Sequence, residues 1–218
     1  MSLAEALDIL PPGGLFMQWG GAALPALRLA PAALAAGARR AWHVEALPPA
    51  HPAWEELCTA CGPNRDRLVL LPGAPTDQAE LPVVDVLALM QLFHEADPLL
   101  WLHLAAPRAQ RRLLLGTVLI PAAEAGLAPD ALIPGTDVQD PRLSGIRRVL
   151  EGRGIRLPQF DSPPAGRDSA GRPLWEGMWH WFMTEGALTA LVESQGFRIV
   201  ALRPVWLDLG VLAICDRA

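Results

Sequence analysis

The sequence predicts an α/β protein built on a doubly wound, mostly parallel sheet, and three observations predict it. Two apolar runs, Val83–Leu92 and Leu113–Ile120, are bounded by turn signals and separated by an amphipathic segment, the pattern of parallel strands buried on both faces around a crossover helix. Strand-like and helix-like segments alternate with short connections through most of the chain. At 218 residues and 51% hydrophobic content, the chain suits one sizeable core and one domain spanning residues 1–218. In such sheets ligands lie outside the carboxyl ends of the strands, which is where the polar cluster Phe93-His94-Glu95-Ala96-Asp97-Pro98 falls.

The elements follow in order. Pro11-Pro12-Gly13-Gly14 punctuates the start and Leu15–Trp19 reads as a strand. Gly20-Gly21 turns it into an Ala/Leu-rich helix over Ala22–Ala36, with Gly37 placed as a C-cap. Ala41–Ala46 reads as the second strand, ending in Glu45, and Pro52–Cys61 as the next helix. Arg67–Leu71 is a third strand, followed by a loop over Pro72–Leu81. After the two apolar runs, regularity is lost over about residues 122–173, where seven prolines and a helix near Pro141–Gly152 accompany several arginines. A Pro/Arg-rich insertion of this size reads as a lid, a substrate wall or the contact of a homo-oligomer rather than a linker. The regular pattern resumes with a helix over Thr184–Gln195, Thr184 its cap and Glu185 its first-turn acid. Gly196 closes that helix, and strand Phe197–Leu202, turn Arg203-Pro204 and strand Leu209–Cys215 follow.

Composition excludes several chemistries. All 18 basic residues are arginine, with no lysine and no tyrosine, which removes Schiff-base chemistry, a P-loop lysine and tyrosine acid/base catalysis. A net charge of −5 is no footprint for nucleic acid. No apolar run is long enough to span a membrane, and the N-terminus lacks a secretory pattern, so a cytoplasmic protein is expected. Cys58 and Cys61 form a lone CxxC at the end of a helical pattern, read as reduced thiols without a metal.

The residues that can carry chemistry cluster at the strand ends. Gly20-Gly21 occupies the first strand-to-helix turn, the nucleoside-binding position of such sheets, although the full G-x-G-x-x-G is absent. Glu45, at the end of the second strand, is either a ribose-hydroxyl acceptor or an exposed acid. His94 is either a general base or a residue that orients its turn through a backbone carbonyl. Trp175, Trp179, His180 and Trp181 read as core or as a wall for a planar substrate, with Trp175 and Trp179 spaced to share a helical face. A hydrolytic triad finds no support, since no G-x-S-x-G occurs.

The order of strand, double-glycine turn, strand ending in an acid, then VDVLALMQLFHEADPLLWL and EGALTALVESQGFRIVAL resembles the class I S-adenosylmethionine-dependent methyltransferases. The likeness covers about Leu15–Pro121 and Leu174–Cys215. Within that class, RLVLLPGAPTDQAELPVVDVLALMQLFHEADPLLWL, ALIPGTDVQ and MWHWFMTEGALTALVESQGF are similar to the tRNA wobble-uridine carboxymethyltransferase group. The resemblance implies a Rossmann-like, seven-stranded sheet in the order 3-2-1-4-5-7-6 with an antiparallel last strand. It implies S-adenosylmethionine as cofactor, its methionine end against Trp19, Gly20 and Gly21, its ribose against Glu45 and its adenine near Gly73 and Ala74. Leu89, Gln91 and Phe93 would face the sulfonium and acceptor, and His94 would deprotonate the acceptor. Two positions depart from the family pattern: Gln18 stands where an acid usually opens the glycine motif, and Phe93 where an aromatic hydroxyl is expected. Two functional readings follow. The first is methyl transfer to a small-molecule acceptor, with Trp175, Trp179 and His180 on the acceptor side; the second is a non-catalytic methyltransferase-like scaffold whose first-turn cleft is closed by Trp19 or Leu24.

Overall fold

A computed structural model describes residues 6–22, 28–78, 80–167, 171, 173–175, 177–206 and 208–218. The first half of the chain runs β1 (Leu15–Trp19), α1 (Leu29–Ala35), β2 (Arg40–Glu45), α2 (Pro52–Cys61), β3 (Leu68–Pro72), β4 (Val84–Leu89), α3 (Pro98–Ala105) and β5 (Ala109–Val118). Next come α4 (Ala122–Ala125), β6 (Leu132–Pro134), α5 (Leu143–Gly152), α6 (Pro158–Asp161), β7 (Gly166–Arg167), β8 (Pro173–Leu174) and β9 (Trp181–Met183). Helix α7 (Glu185–Ser194) and the hairpin of β10 (Phe197–Trp206) and β11 (Gly210–Arg217) complete it.

Seven strands form one sheet in the order β3-β2-β1-β4-β5-β11-β10. Strands β1 to β5 are parallel, and only β11 runs against its neighbours β5 and β10, so the last strand is the antiparallel one. The order reverses between β1 and β4, which opens a crevice at their carboxyl ends.

Period-two alternation assigns each side chain to a face. Phe16, Val86, Ala88 and Leu114 pack with Leu29, Ala30 and Leu34 of α1, and Trp54 and Leu57 of α2 cover Leu68 and Leu70 on the same side. Met17, Trp19, Leu87, Leu89, Leu113 and Leu115 pack beneath α3 and α7 on the other side. Each such fully buried Leu or Met contributes about 1.5–3 kcal/mol of transfer free energy. A further cluster joins Val118, Ile133, Ile146, Leu150, Trp179 and Phe182, so the insertion carries its own apolar core against the end of β5.

Several expectations need correction. The fourth strand stops at Leu89 rather than Leu92, because Gln91 takes a left-handed φ of 62°. The fifth strand starts at Ala109, before the apolar run. Its Arg112 is 7% exposed yet satisfied by Asp216 at 2.7 Å and Asp8 at 2.5 Å, and a buried strand accommodates a charge that is paired this way. The turn expected at Arg203-Pro204 lies inside β10, where Pro204 pairs with Val211 next to a bulge; an edge strand tolerates a missing N–H. The insertion is more regular than its prolines suggested, with β6 paired to β9 and β7 to β8. The first helix, expected over Ala22–Ala36, is helical over Leu29–Ala35; Ala22 lies in a turn, and residues 23–27 with Leu24 lie outside the described residues.

Candidate functional site

The first-turn geometry begins at Trp19, whose carbonyl accepts the Met90 N–H at 2.9 Å. Gly20 and Gly21 then both adopt left-handed conformations, φ 77° and 84°. A Cβ on Gly20 would lie 3.1 Å from the Met90 carbonyl oxygen, so the dihedral favours glycine there and a side chain would crowd that carbonyl. Gln18, buried on the α1 face, accepts hydrogen bonds from the N–H groups of Leu29 and Ala30 at 2.8 and 3.2 Å. Its amide donates to the Gly20 carbonyl at 2.8 Å. A carboxylate could accept the two helix N–H groups but could not donate to Gly20. The departure from the family pattern therefore has a local structural reason.

Glu45 ends β2 beside this turn. One carboxylate oxygen accepts the Ala22 N–H at 2.7 Å and lies 3.5 Å from Nε2 of the buried His43. The side chain remains 16% exposed, so part of it faces the crevice. Gly73, whose N–H donates to the Glu45 carbonyl at 2.9 Å, takes φ 115° and starts the neighbouring loop.

The turn after β4 carries the titratable groups. His94 Nδ1 lies 2.9 Å from the Met178 carbonyl oxygen. A carbonyl only accepts, so Nδ1 carries the hydrogen and Nε2 keeps its lone pair. Burial holds the His94 pKa below its ordinary 6.5, outweighing the opposing hydrogen bond to Met178. Burial, and secondarily the charge of Glu45, pushes the Glu95 carboxyl up to about 7. Glu95 is thus a partly protonated acid at neutral pH, close enough to Glu45 to feel its charge.

Trp175 and Trp179 do not share a helical face: Trp175 follows β8, and Trp179 precedes β9. A turn, with Gly177 at φ 71° and the Met178 N–H donating to the Trp175 carbonyl at 3.3 Å, separates them in place of an i to i+4 ladder. Trp175 is buried and its indole N–H donates to the Ser162 carbonyl at 2.7 Å. Trp179 is buried, with its ring edge-on to Phe93 at 4.9 Å. His180 donates its N–H to the Phe93 carbonyl at 2.9 Å, and Trp181 donates its indole N–H to the Ala96 carbonyl at 3.1 Å. The side chains of Trp19 and Leu89 are each 1% exposed in the core under α3, so these two border the crevice through main chain. Thr184 precedes α7, but its hydroxyl donates to the Pro129 carbonyl at 2.6 Å instead of capping the helix. Cys58, Cys61 and Cys215 are unbridged, and burial raises the Cys61 and Cys215 thiols to about 11 and 12. Among the described residues no three His, Cys, Asp or Glu side chains come together as a metal site, and no helix is long and apolar enough to cross a membrane.

A groove of about 750 Å³ between α7 and the β10–β11 hairpin, lined by Leu119, Pro121, Glu185, Leu202, Asp208 and Val211 among others, holds none of these crevice residues. The shifted carboxyl, the oriented imidazole and the paired left-handed glycines instead follow the carboxyl ends of β1 and β4.

Compared by sequence, the chain matches no protein-family model and no curated protein. Compared by structure, it is similar to the 1,6-didemethyltoxoflavin-N1-methyltransferase of Burkholderia thailandensis, solved with S-adenosylhomocysteine, at 15% identity and TM-score 0.58, covering 99% of this chain and 77% of that one. An O-methyltransferase family 2 protein of Planctomyces limnophilus, solved with apigenin, matches at 14% identity and TM-score 0.59, over 99% of this chain and 56% of that one. The magnesium protoporphyrin IX methyltransferase of Synechocystis, solved with S-adenosylhomocysteine, matches at 13% identity and TM-score 0.55, over 95% and 75%. The fold is the class I methyltransferase fold. The chain spans little more than half the length of the apigenin-bound protein, 56%, and 54% of the mitomycin 7-O-methyltransferase. The narrower likeness to the tRNA wobble-uridine group gains no support from these neighbours.

Sequence reasoning placed Glu95 at the crevice without a role and missed Gln159 and the Met178 carbonyl. The position of Glu95 beside His94 was the one legible signal. A main-chain acceptor 84 residues from His94 leaves no trace in residue type.

Proposed function

We propose that this chain is a cytoplasmic enzyme that transfers the methyl group of S-adenosylmethionine to a small-molecule acceptor, residues 1–218 acting as one domain with the 122–173 insertion as its acceptor wall. The observation that carries the reading is the convergence at one sheet edge of the left-handed Gly20-Gly21 turn, Glu45 and a His94 that keeps Nε2 unprotonated. The structural neighbours, two of them holding S-adenosylhomocysteine, support the same cofactor.

The residues present fit that cofactor. At Gly20 a side chain would fill the space against Met90, and Glu45 keeps an exposed fraction beside it. Bound there, S-adenosylmethionine supplies an electrophilic methyl group on a sulfonium, with a neutral thioether as leaving group. Trp19, Gly20 and Gly21 offer main chain without intervening side chains to the methionine end. Glu45 offers its outward oxygen to the ribose hydroxyls, and Gly73 with Ala74 borders the adenine. Leu89 by its main chain, and Gln91 and Phe93, flank the reacting centre, while Trp179 backs Phe93 and Trp175 and His180 complete the acceptor side. His94 accepts the acceptor proton on Nε2, and its depressed pKa keeps it neutral and competent at neutral pH. Positioning and exclusion of water contribute the remainder.

Calorimetric titration with S-adenosylmethionine and S-adenosylhomocysteine tests the reading. Saturable binding of either is expected, and no heat with both overturns it. His94→Gln is expected to lower turnover by roughly 10²-fold or more while leaving cofactor affinity unchanged. The second reading, a non-catalytic scaffold, is favoured by one observation: a Glu45 oxygen is already engaged by the Ala22 N–H. The same titration separates the two. A tRNA acceptor does not fit a chain with no lysine and a net charge of −5, because polyanion affinity comes from displacing counterions with cationic side chains.

A further inference from the structure

The amide of Gln159, in the short helix α6 and 3% exposed, is bonded on both sides to one residue. Its oxygen accepts the Trp179 N–H at 3.2 Å, and its NH₂ donates to the Trp179 carbonyl at 2.8 Å. The Trp179 N–H belongs to the same peptide unit as the Met178 carbonyl, which accepts the His94 Nδ1 hydrogen at 2.9 Å. The result is a hydrogen-bond chain from the Gln159 carbonyl through the Met178–Trp179 peptide to the imidazole. Each link polarises the next, and a rotation of that peptide would break both. The segment is held from behind as well. Gly135 donates its N–H to the His180 carbonyl at 2.7 Å, and a Cβ at Gly135 would lie 2.0 Å from the Trp179 carbonyl oxygen. Arg147 ties Asp161 of α6 to α5 at 2.7 Å.

We propose that Gln159 is a positioning residue for His94: by fixing the Met178–Trp179 peptide it holds the imidazole in the Nδ1–H tautomer and leaves Nε2 free to take a proton. That the freed nitrogen serves an acceptor rests on the methyl-transfer reading; the relay itself does not. No nucleophile or metal is involved, and the only proton moved in turnover passes from the acceptor to Nε2. Gln159 touches neither.

The experiment is a two-bond ¹⁵N–¹H correlation of the histidine rings in the intact protein, with His94 assigned through His94→Gln, and it needs no cofactor. In the wild type, His94 is expected with a pyrrole-like Nδ1 and an unprotonated, pyridine-like Nε2; the reverse pattern overturns the proposal. Gln159→Met, unbranched and of similar length, is expected to shift the tautomer ratio by about fivefold, the ratio set by one hydrogen bond of about 1 kcal/mol. An unchanged ratio in a folded Gln159→Met protein overturns the relay. Should that variant not fold, the wild-type pattern and the exchange of the Trp179 amide decide: slow exchange is expected, and exchange at the rate of an open amide overturns it. With activity in hand, Gln159→Met should lower kcat with KM little changed and move the acidic limb of the kcat profile. If the tautomer responds as expected while neither cofactor ligand binds, the methyl-transfer reading fails and the relay stands.

Discussion

Gly20, at φ 77° and with a Cβ there only 3.1 Å from the Met90 carbonyl oxygen, ties the geometry of the first turn to a single residue. An L-residue in that left-handed conformation costs about 1–2 kcal/mol. Gly20→Ala is therefore expected to lower unfolding free energy by about that amount, measured by urea unfolding, and to weaken S-adenosylmethionine in the same titration. Unchanged affinity would place the cofactor elsewhere. Glu95 supplies a pH signature. Its folded pKa of about 7 lies above the ordinary 4.5, so the native state binds the proton more tightly than the unfolded chain does. The stability it contributes is present in full below 4.5 and lost as pH rises through about 7. Glu95→Gln should match the wild type near about pH 4 and exceed its stability near about pH 8. A difference that does not vary with pH would show that burial does not hold this carboxyl protonated.

Elements show where local pattern suffices and where it fails. Strand β1 and helix α2 have the limits their punctuation predicted, Leu15–Trp19 and Pro52–Cys61, because glycines and prolines act within the few residues beside them. Strand β5 begins before its apolar run because Arg112 finds Asp8 and Asp216, each 104 residues away; no window along the chain contains that pairing. Trp175 and Trp179 have helical spacing, yet a turn at Gly177 parts them, and Gln159 and Gly135 bond the main chain of Trp179 and His180 from a distance. Helix α5 crosses α4 at Gly145, where a Cβ would lie 1.9 Å from the Ala125 carbonyl oxygen. Gly145→Ala is expected to cost at least about 1–3 kcal/mol by overpacking, despite alanine's better helix propensity, and thermal melting checks it. A melting point that rises would mean the two helices do not meet this closely.

For the whole molecule, sheet order creates the crevice. Reversal between β1 and β4 brings Gly20, Glu45 and His94 to one edge, although they are spread over much of the first half of the chain. A ligand bound there stabilises only the native state. At about one hundred times its Kd, S-adenosylhomocysteine should add about 2.7 kcal/mol, which for a domain of this size raises Tm by about 5–10 °C. No shift at saturation would count against the cofactor site and leave the fold untouched. The apolar runs, their punctuation and the glycines of the first turn determined the doubly wound sheet and its first turn by themselves, because burial and backbone sterics act through residue type and near neighbours. Only tertiary structure decided that Gln18 caps α1, that Trp19 turns into the core, and that Met178 and Gln159 select the His94 tautomer. Those roles depend on main-chain groups brought together across the fold, and every residue carries the same main chain.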